Sequence, residues 1–150
     1  MNYILVGTLA GILRGAPETT ERVEICPASK EENLARLQGA LKLLSVDTED
    51  DGRAGEDLGP HDPVRRLDTA FGELVIDLRP QGTDGFHDLR RQARRELLDE
   101  HGLRVSVASL ADLLRAIRAR GVADEAPRLQ MYRRLNELEH QLERSRGRAL

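Results

Sequence analysis

Short apolar runs alternate along the chain with segments whose apolar residues recur at every third or fourth position, which predicts strands interleaved with helices. Tyr3, Ile4, Leu5 and Val6 read as a strand ending at Gly7, after which Leu9, Ile12 and Leu13 take helical spacing until Gly15 and Pro17 stop them. Residues 19–25 alternate, with Thr20, Arg22 and Glu24 on one face and Val23 and Ile25 on the other, as a half-buried strand would. Ser29 with Glu32 three positions on carries a capping-box signature, and Leu34, Leu37, Leu41 and Leu44 line one face of the helix that follows.

The apolar signal then vanishes over residues 45–63 into Asp, Glu, Gly and Pro, which predicts a solvated loop. Residues 64–70 and 72–78 resume as two strands turning near Phe71 and Gly72, with Leu74, Ile76 and Leu78 on one face and Val75 and Asp77 on the other. A helix capped by Thr83 or Asp84 is predicted to run to about residue 99, then a last strand over residues 103–107. Ser109 with Asp112 opens a helix carrying Leu110, Leu113, Leu114 and Ile117. A final helix over residues 125–146 spaces Met131, Leu135, Leu138 and Leu142 as the seam of a short coiled coil, docked on the domain or pairing with a protein partner or a second copy. The sum is an α+β fold, a mixed sheet flanked by helices with a C-terminal amphipathic helix. Residues 1–121 are expected to form one domain and residues 122–150 the appended helix.

Charge and composition narrow the function classes. Of 150 residues 33% are charged, yet the net charge is only −3, so bulk charge points to neither nucleic acid nor a membrane surface as partner. The apolar stretch over residues 3–13 is about half a bilayer crossing and reads as core. Cys26 is the single cysteine, which suits a reducing, cytoplasmic setting and a role as small buried filler. His61, His87, His101 and His140 show no metal-ligand spacing. Arg90, Arg91, Arg94 and Arg95 read as the solvated face of the predicted helix, interspersed with acids and without interleaved aromatics.

Residues 4–17, 32–37, 80–89 and 102–114, taken in order, resemble the small bacterial nucleotidyltransferase-fold proteins related to the toxin of type IV toxin-antitoxin systems. The resemblance covers roughly residues 1–120 and implies a nucleotide triphosphate held at a small-residue turn, with divalent metal held by carboxylates on two strands. The turn falls on Gly7 and Thr8. The family's Asp-x-Asp falls on Arg22 and Glu24, and its third carboxylate falls on Val75, so two of the three acids are missing. Asp77, two residues beyond Val75 on the same face, would serve as a displaced ligand if the strand register or a bulge moved it, and Glu24 with Asp77 would then form the metal pair of an active enzyme. Otherwise Arg22 and Glu24 are expected to pair as ions, and Asp77 to pair with Arg79 or Arg65. Relatives also carry a helix before the first strand. The departures predict a fold kept and a chemistry lost: a binding or regulatory module, with no cofactor expected. The alternative is an active transferase that moves NMP from an NTP, with Mg²⁺, to RNA or protein.

Overall fold

A computed structural model describes residues 1–44 and 58–149. Strand β1 (Tyr3–Val6) runs directly into helix α1 (Gly7–Leu13), and β2 (Arg22–Pro27) returns antiparallel beside β1, pairing Val6 with Glu24. Helix α2 (Glu31–Leu43) follows, burying Leu37 and Leu41, with Glu31 and Glu32 in its first turn and Lys42 in its last, as its dipole favours. The predicted loop falls mostly outside the described residues. Strands β3 (Val64–Thr69) and β4 (Gly72–Asp77) form the expected hairpin, and β4 lies parallel to β2 with Val75 beside Glu24.

The second half departs from the periodicity. The helix expected to reach residue 99 is only α3 (Phe86–Arg90), and the chain continues as strand β5 (Arg94–Leu97), a hairpin partner for β6 (Arg104–Val107). Tertiary pairing overrides a helical pattern here. β6 is held on one side by β1, and on its other side residues 94–97 supply the ladder partners. Asp99 builds the turn by accepting the backbone N–H groups of His101 and Leu103. The four arginines assigned to one helix face are therefore split, Arg90 ending α3, Arg91 in the turn after it, and Arg94 and Arg95 on β5.

Helix α4 (Leu110–Arg120) starts as expected, the Ser109 hydroxyl accepting the Asp112 N–H at 3.1 Å. The capping box at α2 does not form: Lys30 occupies the cap and makes no side-chain bond. Asn33 secures that end instead, accepting the Asn2 N–H at 2.6 Å and donating to the Asn2 and Ala28 carbonyls. A 3₁₀ turn (Ala123–Glu125) leads into α5 (Ala126–Arg148), a helix about 35 Å long at 1.5 Å per residue, which packs on α4.

The molecule is thus mixed α/β, with one six-stranded mixed sheet ordered β3-β4-β2-β1-β6-β5. Its core joins Ile4, Leu5, Ile25, Cys26, Ile76 and Val107 of the sheet to Leu110, Leu114 and Ile117 of α4 and Tyr132 of α5. The seam of α5 is divided. Met131 and Leu135 pack against the core, whereas Leu138 and Leu142 are 39% and 61% exposed. No helix among the described residues is long and apolar enough to cross a membrane.

Candidate functional site

A cavity of about 240 Å³ opens where β1 ends, between the central strands and the pair α4 and α5. Val6, Val75, Leu113 and Ile117 form apolar wall, and three carboxylates (Glu24, Asp77, Asp112) face it together with three guanidinium groups (Arg66, Arg120, Arg128). Formal charge around the space therefore cancels.

Gly7 sets the floor. Its φ of +70° is one that side-chain-bearing residues adopt at a cost, and a Cβ there would lie 1.4 Å from Glu24 Oε2. Only glycine lets the Glu24 carboxylate lie across the β1–α1 turn. Thr8, the other half of the expected phosphate turn, is already engaged: its hydroxyl oxygen accepts from Arg128 Nη2 at 3.1 Å. Arg128 also donates through Nε to both Glu18 carboxylate oxygens, pairs with Glu125, and lies 5.4 Å from the centre of the Tyr132 ring. Sequence reasoning overlooked Arg128, since its approach depends on how α5 packs on α4.

Next to the cavity, the positions that the resemblance assigns to metal ligands carry a ladder of alternating charge. Arg22 Nη1 lies 3.7 Å from Glu24 Oε1, Arg22 Nε donates to Glu73 at 2.8 Å, and Arg66 reaches the other Glu73 oxygen at 3.4 Å. The expected Arg22–Glu24 pair is present, and Glu73 is its stronger partner. The guanidinium of Arg22 holds the Glu73 carboxyl below its usual range, chiefly through that hydrogen bond. Val75, 5% exposed, occupies the place of a third acid. Such a row does not fit a divalent cation: its carboxylates are matched by arginines and its central position is apolar. Among the described residues no three His, Cys, Asp or Glu side chains gather as a metal site would require.

Asp77 lines the same cavity as Glu24. Its expected ion pair is absent, because Arg79 pairs with Asp84 and Arg65 with Asp62. Asp77 Oδ1 accepts the backbone N–H of Arg79 instead, at 2.9 Å. Burial pushes its carboxyl up, the Arg79 N–H opposes the shift, and Glu24 adds to it. A carboxylate whose folded pKa is raised costs stability when ionised, and the cost is gone below the ordinary value of 3.8. Asp77→Asn keeps an acceptor for Arg79 and is expected to raise the urea midpoint at neutral pH. That gain shrinks as pH falls through the carboxylate range, which unfolding curves at pH 7 and about pH 4 would show.

Two further groups complete the surroundings. Asp112 binds Arg115 through Oδ1 at 2.8 Å but leaves Oδ2 buried without a partner. Cys26 is fully buried, and burial, with the charge of Asp77, pushes its thiol up to about 12. It stays protonated and serves as packing. Compared with protein-family models, curated proteins and solved structures, the chain matches none of them.

Proposed function

We propose that this chain is a divergent nucleotidyltransferase-fold protein in which catalysis is lost and the cavity beside Gly7 is kept as a binding or regulatory site. The observation that carries the reading is the ladder Glu24, Arg22, Glu73, Arg66, where arginines and Val75 occupy ground that phosphoryl chemistry needs for carboxylates and metal. Gly7 at the end of β1, Glu24 against it and Val75 beside Glu24 in register are consistent with a retained frame. Apolar walls and balanced charge suit the base or sugar of a nucleotide better than a metal-bound triphosphate. A regulatory output would pass through α5, which lines the cavity at Arg128 and Tyr132 and presents Leu138 and Leu142 outward to a protein partner or second copy.

Calorimetric titration of each NTP, with Mg²⁺ or Mn²⁺ and again with EDTA, tests this. The expected result is binding that EDTA leaves unchanged. Metal-dependent binding abolished by Glu24→Ala with Asp77→Ala would overturn it in favour of an active transferase acting on RNA or protein, with Glu24 and Asp77 as metal ligands. Absence of binding under every condition would remove the nucleotide from the reading and leave α5 as the functional surface.

A further inference from the structure

A second cavity, of about 320 Å³, lies at the opposite end of β1, where Tyr3 and Ile4 meet the β5–β6 hairpin and the start of α3. Three arginines line it: Arg90 from the end of α3, Arg95 from β5 and Arg104 from β6. Arg95 stands directly across from Ser106, and Arg104 lies two residues before Ser106 on the same strand, so both project from one face of the hairpin. Among the described residues, none of the three has an ion-pair or hydrogen-bond partner. Of the acids nearby in sequence, Asp84 pairs with Arg79, Asp88 with Arg115 and Glu96 with Arg14, and Asp99 accepts backbone N–H groups in the β5–β6 turn, where exposed Glu100 also lies. One partly exposed aromatic residue, Phe86 at the start of α3, lines the groove with the arginines, whereas the β1–β6 register turns the Tyr3 side chain to the other face of the sheet.

We propose that this groove binds the phosphate of a nucleotide, free or within a single-stranded nucleic acid, with the base against Phe86. Charge on an edge strand is enough to prevent strand addition, but that purpose does not require three cations from three elements to converge on one concavity. Guanidinium forks match phosphate oxygens in pairs, and an aromatic ring beside them supplies a stacking surface that tolerates any base. A net charge of −3 does not oppose this, because the local field of three uncompensated cations governs a ligand at contact distance.

The test is fluorescence anisotropy of a fluorescein-labelled single-stranded oligonucleotide titrated with the full chain, then competed with unlabelled nucleoside monophosphate or unlabelled oligonucleotide. Affinity is expected to fall as salt rises, and Arg95→Glu with Arg104→Glu to weaken binding by more than about tenfold. The charge-matched control on exposed α5 positions, Arg133→Glu with Arg144→Glu, is expected to change it by less than about twofold, since it leaves the groove intact. If the Glu pair fails to fold by circular dichroism, Arg95→Gln with Arg104→Gln serves in its place, with a smaller loss expected. Displacement by the monophosphate assigns the groove to free nucleotides; displacement by oligonucleotide alone assigns it to the nucleic-acid backbone. No binding at low salt, or equal loss in both double variants, would overturn the proposal.

Discussion

Arg14→Met should be the most damaging single substitution in the protein, lowering stability by about 3 to 5 kcal/mol. The Arg14 side chain is 2% exposed and joins three elements, with Nη1 2.9 Å from Glu96 on β5 and Nη2 2.5 Å from Glu139 on α5. Without it, two partly buried carboxylates face each other, and only Glu139 keeps a cation, Arg94 at 3.2 Å. The loss is mostly the cost of stranded charge rather than the worth of the pair, because such a group gains little over a well-packed apolar replacement. Arg14→Met with Glu96→Gln and Glu139→Gln should therefore recover most of the lost stability. Thermal melting would show a drop of about 6 to 20 °C for the single variant, at roughly 2 to 4 °C per kcal/mol for a chain of this size. A triple variant as unstable as the single one would mean that Arg14 acts through its packing alone.

Little in the sequence announces that cluster. Arg14 stands next to the glycine that ends a short apolar helix, where an arginine is ordinarily solvated, and its partners lie 82 and 125 residues away. What the local pattern does convey is elements whose apolar rhythm agrees with their final pairing. β6 and α4 repeat in step with the faces they bury, and the Ser109 cap forms at its expected place, whereas β1, β2 and β4 bury consecutive residues and Val23 is left exposed. The pattern misleads where two readings share one rhythm. Phe86, Leu89, Ala93 and Leu97 satisfy helical spacing, yet residues 94–97 pair with β6, and only Asp99 and Gly102 hint at the turn between them. Ser29 and Glu32 satisfy a capping motif, but Asn33 ties the helix start to residue 2, a contact no local window contains.

The cavity was legible in its positions rather than in its partners. Gly7, Glu24, Val75 and Asp77 are each marked by residue type and strand alternation, and the register of β2 against β4 places Val75 beside Glu24. Glu73 was passed over because it matters only once β2 and β4 are neighbours, when it takes Arg22 at 2.8 Å. Arg128 and Tyr132 were hidden for a different reason. A helix whose seam is read from leucine spacing looks like a coiled-coil strand, whereas here the first half of the helix forms one wall of the site.

That wall makes Gly11→Ala the second large effect, an expected loss near 3 kcal/mol, the upper end of ordinary overpacking. The Cβ of an alanine at position 11 would lie 1.7 Å from Tyr132 Oη, 2.6 Å from Cζ and 3.1 Å from Cε1. Neither side can yield easily: Gly11 is inside α1, and Tyr132 is 1% exposed, its ring held between α1 and Arg128. Its hydroxyl is buried without a hydrogen-bond partner; Glu18 and Arg128 are near enough to influence it but not aligned to bond. Burial first, then the charge of Glu18, pushes that hydroxyl up to about 12, so it stays neutral. Tyr132→Phe alone should therefore cost little, since it removes an unsatisfied group. Combined with Gly11→Ala, it should restore only part of the loss, because Cζ remains 2.6 Å from the new methyl. Tyr132→Leu, which removes the ring, should couple more strongly with Gly11→Ala, by about 1 to 3 kcal/mol in a double-mutant cycle read from urea unfolding. If Gly11→Ala unfolds at the wild-type midpoint, α1 and α5 do not pack this closely, and Arg128 loses the approach that carries it to Thr8.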